Sequence, residues 1–126
     1  MMGLSVFTIA RRFSSNAFAN NEDLALGGPK ATLTLADPDV ERVRRNHLND
    51  LENIVPFVLV GFFYVATNPD SNVALWHFRV FFASRLLHTI SYQVPFPQPT
   101  RVLLWGAGFA ATISMAVHVL QAITLK

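Results

Sequence analysis

Residues 102–125 read VLLWGAGFAATISMAVHVLQAITL, a run without a single Asp, Glu, Lys or Arg. Coiled as a helix, such a run is about 36 Å long. A bilayer's hydrocarbon core is about 30 Å thick, so the segment can cross it. Working toward the N-terminus, residues 53–69, NIVPFVLVGFFYVATNP, are also free of charge. A helix that begins a turn earlier would span there too. Between them, residues 73–94, VALWHFRVFFASRLLHTISYQV, have the right length but carry Arg79 and Arg85. An arginine at mid-bilayer costs about 2.5–3.5 kcal/mol on insertion scales, so these two need partners or a polar environment.

Composition supports a membrane reading. Of 126 residues, 52% are hydrophobic and only 14% charged, whereas a soluble domain carries about 25% charged residues. Too few polar residues remain to clothe a soluble helical bundle, and a disordered chain is excluded. There is no cysteine, which removes disulfides, thiolate metal sites and a protein-borne thiol nucleophile. The net charge of +2 is too small and too interleaved with acids for a nucleic-acid binder. His77 and His118 are isolated, and no metal-ligand spacing occurs.

The turns divide the chain. Asp37-Pro38-Asp39 reads as a helix start, with an Asp cap and Pro in the first turn. Asn68-Pro69-Asp70-Ser71-Asn72 is a tight turn, and Pro95, Pro97 and Pro99 break the chain before Arg101. The sequence therefore predicts helices over 38–67, 73–94 and 101–125. Residues 13–37 form a polar loop, and an apolar segment precedes Arg11 and Arg12. The fold class is an all-α membrane protein, a bundle of up-down topology. Basic residues crowd the first loop and the helix start after it, and Arg101 sits in the 95–101 connection. The 68–72 turn has none, so those two connections are expected on the cytosolic side and Asp70 on the luminal side, with Lys126 a weak luminal exception.

Polar residues recur at one depth. On the helix from residue 38, Arg42, Arg45, Asn49, Glu52 and Asn53 share about 100° of arc. On the next helix Arg85, His88 and Tyr92 form a second stripe. Arg12 ends the first apolar segment and Arg101 opens the last helix. Arg12, Arg45, Arg85 and Arg101 would face one nearby acid, Glu52, so internal ion pairs could not neutralise the layer. An arginine-rich, partly dehydrated layer suits an anionic ligand with carboxylates that accept bidentate contacts.

Three stretches also carry a family likeness. Residues 41–57, ERVRRNHLNDLENIVPF, residues 85–92, RLLHTISY, followed by PQPTR at 97–101, and residues 18–23, FANNED, resemble the membrane-associated proteins in eicosanoid and glutathione metabolism, the MAPEG family. The resemblance is colinear from about Arg12 onward. It implies a four-helix subunit whose first helix is truncated here, with residues 1–12 as its remnant, assembling as a homotrimer in the lipid bilayer. It further implies glutathione as co-substrate, held by Arg12, Arg45, Asn49, Glu52, Arg85, His88 and Tyr92, with Arg101 stabilising its thiolate and no metal. The activity implied is conjugation of glutathione to hydrophobic electrophiles, with lipid hydroperoxide reduction as a companion. The membrane implied is that of the endoplasmic reticulum, with the mitochondrial outer membrane as a further location.

Two positions choose among branches of that family. Val102 follows Arg101 where the prostaglandin E synthase branch has serine, which favours the transferase branch. Leu24 stands where that branch often has a cysteine, so activation by thiol modification there is excluded. Prostaglandin E synthesis remains the alternative chemistry, and a non-enzymatic membrane subunit the alternative role if the shortened first helix holds Arg12 badly.

Overall fold

A computed structural model describes residues 1–94 and 96–125. Pro95 and Lys126, read above as a chain break and a luminal end, lie outside the described residues. The chain is helical almost throughout and divides into two compact units, Met1–Asn49 and Asp50–Lys126.

The first unit begins with α1, Met2–Ser15. Fourteen helical residues reach only about 21 Å. The helix stops at Asn16, whose φ of 51° is left-handed and whose N–H bonds the Arg12 and Phe13 carbonyls. Asparagine tolerates that conformation because its short polar side chain can bond locally. Two short strands follow, β1 at Ala17–Phe18 and β2 at Thr32–Leu33, paired in parallel. The connection between them holds a 3-10 turn at Asn21–Asp23, the short helix α2 at Leu24–Gly27 and a second 3-10 turn at Gly28–Lys30. Phe18 anchors this fold-back. It is buried, and its ring meets Phe13 edge-on at 5.3 Å. Gly27 lies against the same ring, where a Cβ would come within 2.3 Å of it. Only glycine fits that contact.

Helix α3, Pro38–Ala66, starts as its sequence dictates. Asp37 Oδ1 accepts from the backbone N–H groups of Asp39 at 3.1 Å and Val40 at 3.0 Å, satisfying two donors that have no intrahelical partner.

The second unit contains the rest of α3, then α4 at Ser71–Gln93 and α5 at Gln98–Thr124. Helix α4 starts at Ser71, because Asp70 caps it by accepting from the N–H groups of Asn72 and Val73, both at 3.0 Å. Helix α5 starts at Gln98, three residues before Arg101. Pro97 is its cap and Pro99 lies in its first turn, where a missing N–H costs nothing.

Phe57, Tyr64, Phe81, Ala111 and Met115 make the core of this unit. Phe57 and Phe81 stack with ring centroids 3.5 Å apart and planes 5° from parallel. Tyr64 has His77 at 5.4 Å and His118 at 5.1 Å on its ring. His77 Nε2 meets Ser114 Oγ at 2.9 Å, joining α4 to α5. The two helices also approach closely at Gly108, where a Cβ would lie 2.6 Å from Ser84 Oγ.

The outward faces of this unit are apolar. Val58, Leu59, Phe62 and Phe63 on α3, and Leu103, Phe109, Leu120 and Ile123 on α5, are all exposed. An apolar exterior this continuous needs lipid or a partner against it. Among the described residues, α3 and α5 are long and apolar enough to cross a membrane, with mean hydropathies of 1.3 and 1.7. Helix α4, with Arg79 and Arg85, falls below them.

Candidate functional site

The second unit gathers a connected polar set at one end of α4. Arg85 lies on the inward face of α4 and is 5% exposed. Its Nε and Nη2 donate to Asp50 Oδ1 at 3.2 and 2.6 Å. Asp50 is 3% exposed, so the ion pair is buried on both sides. Nη2 also lies 3.1 Å from His88 Nδ1, one turn along α4. The His88 ring is 5.4 Å from that of Tyr92, a further turn on. Arg101, in the first turns of α5, places its guanidinium 5.0 Å from the centre of the Tyr92 ring. Asp50, Arg85, His88, Tyr92 and Arg101 thus form one chain of contacts across α3, α4 and α5.

Asp50 corrects the charge count made from sequence, which opposed four arginines to Glu52 as the single nearby acid. Arg85 is neutralised by a buried carboxylate. The reason lies in helical phase. Val43, Asp50, Phe57 and Tyr64 follow one another at seven-residue intervals and are all buried. Asp50 therefore belongs to the inward stripe of α3. Glu52, two residues on, points about 160° away from it and is exposed. The seven-residue spacing to three apolar positions is the signal that could have found Asp50.

The remaining predicted residues divide between the units. Arg12, Arg45 and Asn49 belong to the first, and Glu52, Arg85, His88, Tyr92 and Arg101 to the second. The Arg12 Nη1 donates to the carbonyl of Ala17 at 3.2 Å, tying the end of α1 to β1. Arg45 is exposed on α3 and Asn49 half-buried. Asn46, on the buried side of α3, is fully enclosed, and neither its side-chain oxygen nor its nitrogen has a partner among the described residues.

Arg85 and Arg101 consequently differ in what they can do. Arg85 has its charge paired with Asp50 through Nε and Nη2. Arg101 has no carboxylate partner among the described residues and faces an aromatic ring that leaves its charge uncompensated. It also stands near the N-terminus of α5, where the helix dipole adds partial positive charge. An anion is favoured there.

The MAPEG family profile matches residues 1–121. The chain belongs to the MAPEG family. That match covers both units and every residue of the predicted set, from Arg12 to Arg101. Among individual MAPEG proteins, the chain is 46% identical over 124 residues to microsomal glutathione S-transferase 1 of Mus musculus, covering 96% of this chain and 80% of the relative. With the Homo sapiens protein of the same name the identity is 47% over the same coverage. Prostaglandin E synthase of Homo sapiens is 39% identical over 121 residues, covering 95% and 78%.

Proposed function

We propose that this chain is a membrane-bound glutathione S-transferase that conjugates glutathione to hydrophobic electrophiles, with glutathione-dependent reduction of lipid hydroperoxides as a companion activity. The observation that carries the reading is the contrast between the two guanidiniums. Arg85 is matched by Asp50, while Arg101 holds an uncompensated charge at a helix N-terminus. The 46–47% identity to proteins named microsomal glutathione S-transferase 1 supports glutathione as the anion, and the membrane we propose is that of the endoplasmic reticulum.

In this reading Arg101 stabilises the glutathione thiolate. A free thiol is mostly protonated at neutral pH. A hundredfold shift toward thiolate needs about 2.7 kcal/mol. A guanidinium about 4 Å away can supply about 4 kcal/mol at an effective dielectric of 20. Arginine stays protonated, so the thiol proton leaves to water. The thiolate sulfur then attacks the electrophilic carbon. With an aryl halide, the carbon–sulfur bond forms, the carbon–halogen bond breaks and halide departs. The electrophile enters sideways from lipid, which explains an apolar exterior beside a charged site.

Arg12, Arg45, Asn49, Glu52, Arg85, His88 and Tyr92 bind the rest of glutathione in this reading, with Arg85 oriented by Asp50. Exposure of Arg45 and Glu52 in the single chain suits a site completed by a neighbouring subunit. The assembly proposed is a homotrimer of up-down four-helix subunits, with Lys30 and Arg101 cytosolic and Asp70 luminal.

The test is conjugation by the purified chain in lipid vesicles, with glutathione and an activated aryl halide. Formation of the thioether above the uncatalysed rate supports the proposal, and its absence in a folded preparation refutes it. Prostaglandin E synthesis is the second reading, carried by the prostaglandin E synthase relatives. Val102 beside Arg101 argues against it, and a prostaglandin product assay on the same preparation separates the two.

A further inference from the structure

The Asp50–Arg85 pair does more than hold α3 to α4. A guanidinium carries only donors. Arg85 Nη2, 3.1 Å from His88 Nδ1, can therefore only donate to it, and Nδ1 must accept. The ring proton of a neutral His88 then sits on Nε2. No hydrogen bond to Nε2 occurs among the described residues. Arg85 in turn is oriented by Asp50, whose Oδ1 takes both Nε and Nη2. With Asp50, Arg85 and His88 each no more than 5% exposed, water does not compete for these bonds. On the other side of His88 stands Tyr92, whose ring also carries the Arg101 guanidinium. The free Nε2–H and the uncompensated Arg101 thus share one aromatic neighbour.

We propose that Asp50 is a positioning residue: through Arg85 it fixes the His88 imidazole with its proton on Nε2, as a hydrogen-bond donor to the anionic co-substrate. This rests on the glutathione reading above and deepens it. In this proposal Asp50 acts through Arg85 and not on the co-substrate itself. The pair makes Arg85 the group that selects the tautomer. Without the carboxylate, the Arg85 fork would be drawn to the ligand, and His88 could present either tautomer.

Two measurements test this. The first uses the intact protein in lipid, with ring nitrogen-15 shifts of His88 assigned by their loss in His88→Gln. The expected spectrum is a neutral ring with protonated Nε2 and bare Nδ1. A ring protonated on Nδ1, or on both nitrogens, overturns the proposal. The second is a double-mutant cycle on glutathione affinity. Asp50→Asn should weaken binding about tenfold or more, the range for a hydrogen bond to a charged group. In the His88→Gln background the amide nitrogen donates without any tautomer to fix, so the same change should cost less than about twofold. Equal penalties in both backgrounds mean that Asp50 is only a structural partner, and the proposal fails. If Asp50→Asn does not fold, the tautomer measurement decides alone. Wild-type protein that shows the expected tautomer but binds no glutathione refutes the functional reading, while leaving the Asp50–Arg85–His88 arrangement intact.

Discussion

Replacing Arg101 by Leu removes the guanidinium that lies 5.0 Å from the Tyr92 ring centre and has no carboxylate partner among the described residues. Arg85 cannot take over its charge, because Asp50 already holds it at 2.6 Å. The loss should therefore fall almost wholly on the thiolate. If Arg101 supplies the about 2.7 kcal/mol needed for a hundredfold shift, its removal returns bound glutathione to the thiol form. Turnover should drop by up to about two orders of magnitude, the same free energy expressed as a rate. Affinity for glutathione should change much less, since its carboxylates bind elsewhere. The assay is a difference ultraviolet spectrum of the lipid-reconstituted protein with saturating glutathione, read beside the conjugation rate. Leu should abolish the thiolate absorbance, and Lys should keep part of it, having the charge without the planar fork. A Leu variant that forms thiolate at the normal level would refute the reasoning and leave Arg101 as a helix-end anchor.

Four further outcomes are expected. Arg45→Ala, at an exposed position, should weaken glutathione by about 1.5–3 kcal/mol, the worth of a charge-assisted hydrogen bond, and unchanged affinity by calorimetry would remove it from the site. Gly108→Ala should lower thermal stability in detergent by about 1–3 kcal/mol through the clash with Ser84 Oγ, and Ser84→Ala should relieve most of that loss. Asn46→Ala should be neutral or stabilising, because it removes two enclosed polar atoms that lack partners; a clear fall in melting temperature would reveal a bound water or other partner. Labels at Asp70 and Lys30 should react from opposite sides of sealed vesicles, and reaction from one side would overturn the proposed topology.

The helices were legible in the sequence wherever local chemistry decides them. Asp37 supplied its cap, and the charge-free runs at 53–69 and 102–125 marked two helices by composition alone. Ends were harder. The prolines before Arg101 read as breakers, yet a proline in the first turn of a helix loses no hydrogen bond, so α5 starts three residues early. The parallel pairing of β1 with β2 has two residues per strand, too few for any period to register. The site was legible as a set of residue types and only partly as an arrangement. Arg85, His88, Tyr92 and Arg101 do meet, because helical spacing on α4 aligns the first three. Asp50 is hidden from a search for polar stripes because its phase on α3 matches the buried apolar residues Val43, Phe57 and Tyr64. A buried carboxylate on an apolar stripe announces a buried cation facing it.

Glutathione binds as an anion where the Arg101 charge has no carboxylate partner among the described residues. The most direct measurement of this is a glutathione titration of the purified wild-type chain in lipid vesicles, followed by ultraviolet difference absorbance. Saturable binding accompanied by thiolate absorbance at neutral pH is the expected result. Binding of glutathione as the thiol only, or no saturable binding by a folded preparation, would contradict the account.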